Sequence, residues 1–441
     1  MSSSFIFERI DNNLKNGSVS FSYSLSLASG THSFIETLTL PRPVTREVPV
    51  PVLSQILQML HILLGISYWK TFCPKNIEIK GQCLSRVQSD FWNTVYTQGL
   101  GEFYFTNTID FRGLVSFPFE KSSLCIPTNV TQQSRSLVGL GGGKDSLVVT
   151  WLMQKHKKIF DTFIVETQHS YPFIDKLNTK LGKTPLIVKR SIDPKLIKLN
   201  RQSTTHNGHI PISAIYGAIG ILLAVAYDYS SVIMGNERSS DVGNTIFHGT
   251  VINHQWSKSK AFEILFQQFI HDTISPQLTY CSLLRPLSEM QVMKLFTRQL
   301  AYLPLFSSCN RNFSITRQLT NATWCGKCPK CAFAFALLSA FVSKKTIVSL
   351  FGVNLFAQKS LLPIYQQLWG EKGIKPFECV GTPQEVKLAF AQAYKNGEYQ
   401  PDIIMKYYVK HILSTINILE LEQKVMNPSA LDEVEKIISS V

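Results

Sequence analysis

Residues 137–146 read LVGLGGGKDS. A short apolar run leads into three consecutive glycines, and Lys144, Asp145 and Ser146 follow them. The apolar run predicts a strand, and SLVVTWLMQKHK after the loop predicts a helix. Glycine accepts positive φ and lets the backbone come close to a ligand. A helix start points free N–H groups and the positive end of its dipole at the same spot. Strand, glycine loop and helix together predict an anion site, most naturally for phosphate. They also commit this part of the chain to an α/β fold. SLVGL (136–140), DTFIVE (161–166), PLIVK (185–189) and SVIMG (231–235) read as short strands, mostly separated by helical segments. That alternation predicts a parallel sheet covered on both faces.

Two common phosphate loops do not fit. A Walker A loop would need its first glycine at Val138 and Ser or Thr at Asp145. The dinucleotide fingerprint, started at Gly139, would need glycine at Lys144. A plain strand-to-helix turn capped by Asp145 or Ser146 is the alternative. Gly141-Gly142-Gly143-Lys144-Asp145-Ser146 is similar to the Ser-Gly-Gly-x-Asp-Ser loop of the PP-loop ATP pyrophosphatases, with glycine in place of the first serine. The resemblance implies an adenine nucleotide alpha hydrolase-like core that binds ATP and holds its β- and γ-phosphates as leaving pyrophosphate. It implies that Asp145 helps hold Mg²⁺, that Ser146 contacts phosphate and that Lys144 adds charge. The reaction it implies is adenylation of a carboxylate or carbonyl oxygen.

Upstream, SVSFSYSLSL (18–27) alternates polar and apolar residues and predicts a strand. FIETLTL (34–40) and GEFYFTNTID (101–110) also read as extended, and VLSQILQMLHILLGISYWK between them as a helix. Residues 1–130 are therefore expected to form an α+β domain with an antiparallel sheet and no chemical constellation of its own. Polar residues 128–136 would link it to a PP-loop domain over 131–300. Residues 301–441 would form a helical, Cys-rich region. PLSEMQVMKLF carries Ser288 and Gln291 at capping-box spacing. Ile210 to Tyr227 is uncharged, yet Pro211, Ser213, Gly217 and Gly220 favour a buried core helix over a membrane span. The N-terminus has no secretion pattern. Nine cysteines without one point to the reducing cytoplasm. A net charge of +14 without basic runs fits a basic surface or affinity for a polyanion.

Cys325, Cys328 and Cys331 form a double C-x-x-C, with Cys309 upstream. Four thiolates suit a closed, structural Zn²⁺ site. A redox pair, unrelated thiols or an iron–sulfur cluster are the other readings. The order PLSEMQVMKLF, SSCNR, WCGKCPKC resembles the cyano-deazaguanine synthases of the PP-loop superfamily, whose Cys-rich tail binds zinc.

Three further stretches are dense in functional groups: HNGHIPISA (206–214), GNERSSDVGN (235–244) and VINHQWSKSKAFE (251–263). GNERSS follows a strand, where parallel sheets bind ligands. Together, GGGKDS, NGHIPISA, GNERSS, NHQWSKS and WCGKCPKCAF, with GLGEFYFTN near the start, resemble the UDP-N-acetylmuramoyl-L-alanyl-L-glutamate epimerases of bacterial peptidoglycan synthesis. That resemblance implies ATP-dependent inversion of the terminal L-glutamate of a nucleotide-linked muramyl dipeptide through an adenylated carboxylate. Glu237, His209 and His254 are then the candidate bases, and Arg238 and Lys258 the candidate stabilisers of developing charge. Another carboxylate-adenylating PP-loop enzyme, of the deazaguanine-synthase or tRNA-modifying kind, is the alternative. An ATP-independent two-cysteine racemase would leave the glycine loop without a use. A basic zinc-knuckle RNA binder would need a recognition motif that is not evident, so no stable nucleic acid partner is expected.

Overall fold

Alternation decides the N-terminal third. In SVSFSYSLSL, Val19, Phe21, Tyr23 and Leu25 are buried on one face of the strand. The computed structural model describes residues 3–123, 125–167, 172–313 and 323–441. Strands β1 (Ser4–Asn13), β2 (Ser18–Leu27) and β3 (Gly30–Thr39) form an antiparallel meander, and β4 (Asn76–Ile79) lies parallel to β1. β5 (Ser136–Gly139), β6 (Phe160–Thr167), β7 (Leu186–Ser191) and β8 (Ser231–Met234) fall where the apolar runs predict them. β9 (Thr245–Phe247) and β10 (Thr250–Ile252) make a separate hairpin, and β11 (Thr279–Ser282) pairs with β8.

Among the described residues, nine strands form one sheet in the order β11-β8-β5-β6-β7-β3-β2-β1-β4. The half from β11 to β7 is parallel. β3 continues it antiparallel to β7, with Leu38 opposite Arg190. The N-terminal strands and the parallel core thus share a single sheet. At the seam, Arg190 donates to Glu36 at 2.6 Å and to Ser67 Oγ at 3.2 Å. Both ion-pair partners are essentially inaccessible to solvent. Removing one partner of a buried pair strands the other charge. Glu36→Ala is expected to lower unfolding stability by about 3–5 kcal/mol, read from the denaturant midpoint.

GEFYFTNTID does not extend. Gly101–Thr106 is a short helix. Phe103 and Tyr104 are buried, and Tyr104 Oη donates to the Tyr96 carbonyl at 3.0 Å, docking the turn on the Arg86–Gln98 helix. Packing here outweighs the strand preference of aromatic residues.

The helix Ile212–Tyr227 is buried along almost all of its length, as expected of a core helix. The one described helix long and apolar enough to cross a membrane is Val50–Trp69, and 72% of its apolar window is buried within the fold. These two helices pack together on one face of the sheet, Val50–Trp69 over β1 and β2 and Ile212–Tyr227 over β5 and β8. After β11 the described residues contain no further strand. The Ser288–Gln291 capping box forms and opens the helix Glu289–Phe296. This helix packs against Lys144–Lys155, and the helices Pro329–Ser339 and Pro383–Lys395 pack on each other and on it, closing a second apolar core on the opposite side.

Candidate active site

β5 ends at Gly139 and the next helix starts at Lys144, with Gly143 as its N-cap. Gly142 has φ +76°, a left-handed conformation that side chains rarely adopt. Its carbonyl accepts from the Ser307 N–H at 3.1 Å, which clamps the loop to the Cys-rich region. Gly235, at the exit of β8, runs so close to the loop that an added Cβ would stand 3.1 Å from the Asp145 backbone. Neither Asp145 nor Ser146 caps the helix. Gly143 offers no side chain, and Ser146 Oγ donates to the Gly143 carbonyl at 3.0 Å. The first N–H groups of the helix therefore stay available to an anion.

A cavity of about 580 Å³ opens above this loop, along the carboxyl ends of the parallel strands. Gly141, Gly143, Lys144, Asp145 and Ser146 line it, with Arg190 and Lys258 among its other charged residues. Lys144 Nζ lies 2.6 Å from Asp145 and also pairs with Glu289. Burial works against the Lys144 charge, but Asp145, then Glu289 and Glu237, outweigh it and push its pKa above the ordinary lysine range. Glu289 stands at the first position of its helix. Its N–H donates to Glu385 at 2.7 Å, and Ser239 Oγ donates to the same carboxylate at 2.5 Å. The GNERSS turn is thus tied to two C-terminal helices.

Glu237 and Arg238 sit apart from the cavity lining. Glu237 is buried behind the loop. Its pKa is raised by burial and then by Asp145, with Lys258 and Lys144 pulling the other way. The Arg238 side chain donates to the carbonyl of Lys424 at 3.3 Å, toward the C-terminal helices.

A side compartment of about 220 Å³ adjoins the cavity, and the two share His209, Gln255, Lys258, Lys330 and Cys379 as lining. His209 and His254 meet here with ring centroids 4.5 Å apart. Glu102, carried by the short helix Gly101–Thr106, joins them. Its Oε2 bonds His254 Nδ1 and lies 3.4 Å from His209 Nδ1. Lys70 holds the HNGHIP turn by donating to Asn207 Oδ1 and the Gly208 carbonyl, each at 2.9 Å. Cys379 Sγ lies 3.9 Å from His254 Nε2. Burial opposes a charge on His254, but Cys379 and Glu102 overcome it and push its pKa up to about 9. Burial and the neighbouring His254 hold His209 well below the usual range.

Sequence reasoning missed Glu102, Glu289, Lys330 and Cys379 as site groups. Glu102 lies in a stretch that carried family resemblance, so a signal existed. Cys379, alone in FECVG, offered none.

Cys309, Cys325, Cys328 and Cys331 converge, with every sulfur within 4.8 Å of the others. Cys331 Sγ lies 3.6 Å from Cys325 and 3.5 Å from Cys328. Four sulfurs about 2.3 Å from a tetrahedral Zn²⁺ stand about 3.8 Å apart, so the donor set fits that ion. The cluster borders the cavity, because Ser307, Ser308, Asn310 and Lys330 flank its ligands and line the wall.

A family model described as MurL N-terminal domain matches residues 1–283, and one described as MurL C-terminal domain matches residues 305–422. A UDP-N-acetyl-alpha-D-muramoyl-L-alanyl-L-glutamate epimerase of Xanthomonas oryzae pv. oryzae is 36% identical to this chain, over 81% of the chain and 79% of the relative. Enzymes of the same name from a Micromonospora strain and from Salinispora tropica are 32% and 33% identical. They align over 93% and 88% of the chain, and over 91% and 84% of their own lengths. Two matched domains and these long alignments make the chain a member of the UDP-N-acetyl-alpha-D-muramoyl-L-alanyl-L-glutamate epimerase family.

Proposed function

We propose that this protein inverts the terminal L-glutamate of UDP-N-acetylmuramoyl-L-alanyl-L-glutamate, using ATP to adenylate its carboxylate and releasing AMP and pyrophosphate. The observation that carries this reading is an open, glycine-lined helix start in the main cavity with a His–Glu cluster at the adjoining side compartment. It is joined by the chain's membership in the epimerase family.

The chemistry explains why both halves are needed. Removing a proton beside a carboxylate places a second negative charge next to the first. The glutamate nitrogen is an amide in this substrate, so an imine cannot take up that charge. Adenylation turns the carboxylate into an acyl phosphate and makes the Cα–H acidic enough for a side chain to remove. In this scheme the loop N–H groups, Lys144 and Ser146 hold the departing phosphates. Asp145 is an oxygen donor of the kind that binds Mg²⁺, which would supply charge neutralisation on those phosphates. Lys258 stabilises the oxyanion as it forms. His209 and His254 face the side compartment where the glutamyl unit would sit, and serve proton transfer. Glu237, behind the loop, reaches it only by tuning Lys144 and Lys258. Zinc on the four cysteines would fix the wall that Ser307 clamps to the loop. With a nucleotide-linked precursor as substrate, the reaction would be cytoplasmic.

Incubation with ATP, Mg²⁺ and the L-glutamyl nucleotide in D₂O tests the reading. Deuterium at Cα is expected together with equimolar AMP and pyrophosphate. Formation of ADP, or deuterium uptake that needs no nucleotide, would overturn it.

A further inference from the structure

Cys379 occupies a position that none of the assigned roles uses. It lines both the main cavity and the side compartment. Its sulfur faces His254 Nε2 at 3.9 Å, and the other nitrogen of that imidazole is held by Glu102. A thiol, an imidazole and a carboxylate in series form the arrangement that activates a cysteine, with the third group orienting the ring. Lys258 and Lys330 line the same two compartments, where Glu237 and Asp145 act on Lys258 and Glu378 acts on Lys330. They suit an anionic ligand lying against the sulfur. Glutamate, with its side-chain carboxylate, is such a ligand.

We propose that Cys379 is the catalytic acid–base group for one face of the glutamyl Cα, working with its proton-transfer partner His254, which Glu102 positions. This rests on the epimerase reading above. The Cα–H bond breaks, the proton goes to Sγ, and its electron pair moves onto the acyl oxygen of the adenylate. The pair returns from that oxygen to Cα as a solvent-derived proton arrives on the opposite face and closes the new Cα–H bond, Sγ gives its proton to solvent, and water then cleaves the acyl–phosphate bond to release AMP. Electrostatics favour the thiolate this step needs. Burial opposes its formation, but Lys258, then Lys330 and His254, outweigh burial and hold the thiol well below its usual range. The transfer requires no bond beyond those the epimerisation already makes and breaks.

The test separates the two halves of the reaction. Substrate-dependent exchange of labelled pyrophosphate into ATP reports adenylation. Deuterium uptake at Cα from D₂O reports proton transfer. Cys379→Ala and Cys379→Ser are each expected to slow deuterium uptake by about 10²-fold or more while pyrophosphate exchange persists. Persistent exchange also shows that each variant is folded. Glu102→Gln is expected to lower kcat for deuterium uptake about tenfold with little change in KM, as a positioning role requires. Deuterium uptake by Cys379→Ala within a few-fold of the unaltered enzyme overturns the assignment, as does loss of both signals in both cysteine variants. Absence of exchange in the unaltered enzyme would instead overturn the adenylation reading.

Discussion

Asp145→Asn is expected to lower AMP formation by roughly 10⁴-fold and to leave the fold intact. Asp145 stands in the first turn of the helix that follows the glycine loop, on the cavity wall and 2.6 Å from Lys144. Asparagine keeps its size and can still accept a hydrogen bond. It removes the charge that would bind Mg²⁺ and loosens the hold on Lys144. Glu289 and Glu237 remain to keep that lysine charged, so no buried cation is stranded. Asp145 is itself only partly buried, with 28% of its side chain accessible. Loss of stability should therefore stay near 1 kcal/mol, a small part of the folding free energy. Steady-state release of AMP, followed beside a thermal melt, checks both halves. AMP formation within tenfold of the unaltered enzyme would dismiss the loop as the nucleotide site. Lys144→Ala is a poorer probe, because it leaves Glu289 buried without its cation.

The reach of the sequence ends where contact stops being local. The glycine loop, the capping box at Ser288 and the four cysteines are written within short windows, and the fold keeps them where those windows place them. Strand positions follow from two-residue alternation or from apolar runs, both local signals. Pairing of β3 with β7 has no such signature. It depends on backbone edges and on Glu36 meeting Arg190 across 154 positions. The side compartment is harder still to read. Its groups come from residues 102, 209, 254, 258, 330 and 379; His209, His254 and Lys258 stand out in dense motifs, while Lys330 is masked by the cysteines on either side of it. Glu102 sat in a stretch mistaken for a strand because aromatic content imitates strand preference. Cys379 looked like any isolated cysteine. Arg238 shows the limit of proximity as a guide. It adjoins Glu237 in a functional-looking turn, yet its guanidinium reaches out to residue 424.

Cys331→Ser should remove the bound metal and lower the melting temperature by roughly 10 °C or more. Cys331 is fully buried on the first turn of the helix Pro329–Ser339, with two of its three cysteine partners at 3.5 and 3.6 Å. A serine oxygen is a poor substitute for thiolate, and three remaining sulfurs leave a tetrahedral site open. Metal affinity in such sites is largely folding free energy. The segments it joins are otherwise tied by Ser307 Oγ, which donates to the Thr323 carbonyl at 2.7 Å, and by Phe306 against Trp324. The effect should also reach the nucleotide. Ser307 clamps Gly142, and Cys309 N–H donates to Ser307 Oγ at 3.2 Å, so freeing the cluster frees the loop. Weaker ATP binding should accompany the lower melting temperature, although residue 331 touches no phosphate in the proposed scheme. Cys83→Ser is the matched control. Cys83 is exposed and outside the cluster, so metal content, melting temperature and ATP affinity should all stay unchanged. Elemental analysis of the purified proteins gives the metal identity and stoichiometry. Zinc at one per chain in the Cys83 variant, and none in the Cys331 variant, is the expected pair of values. Equal metal content and equal melting temperatures in the two variants would show that the four thiols hold no structural ion.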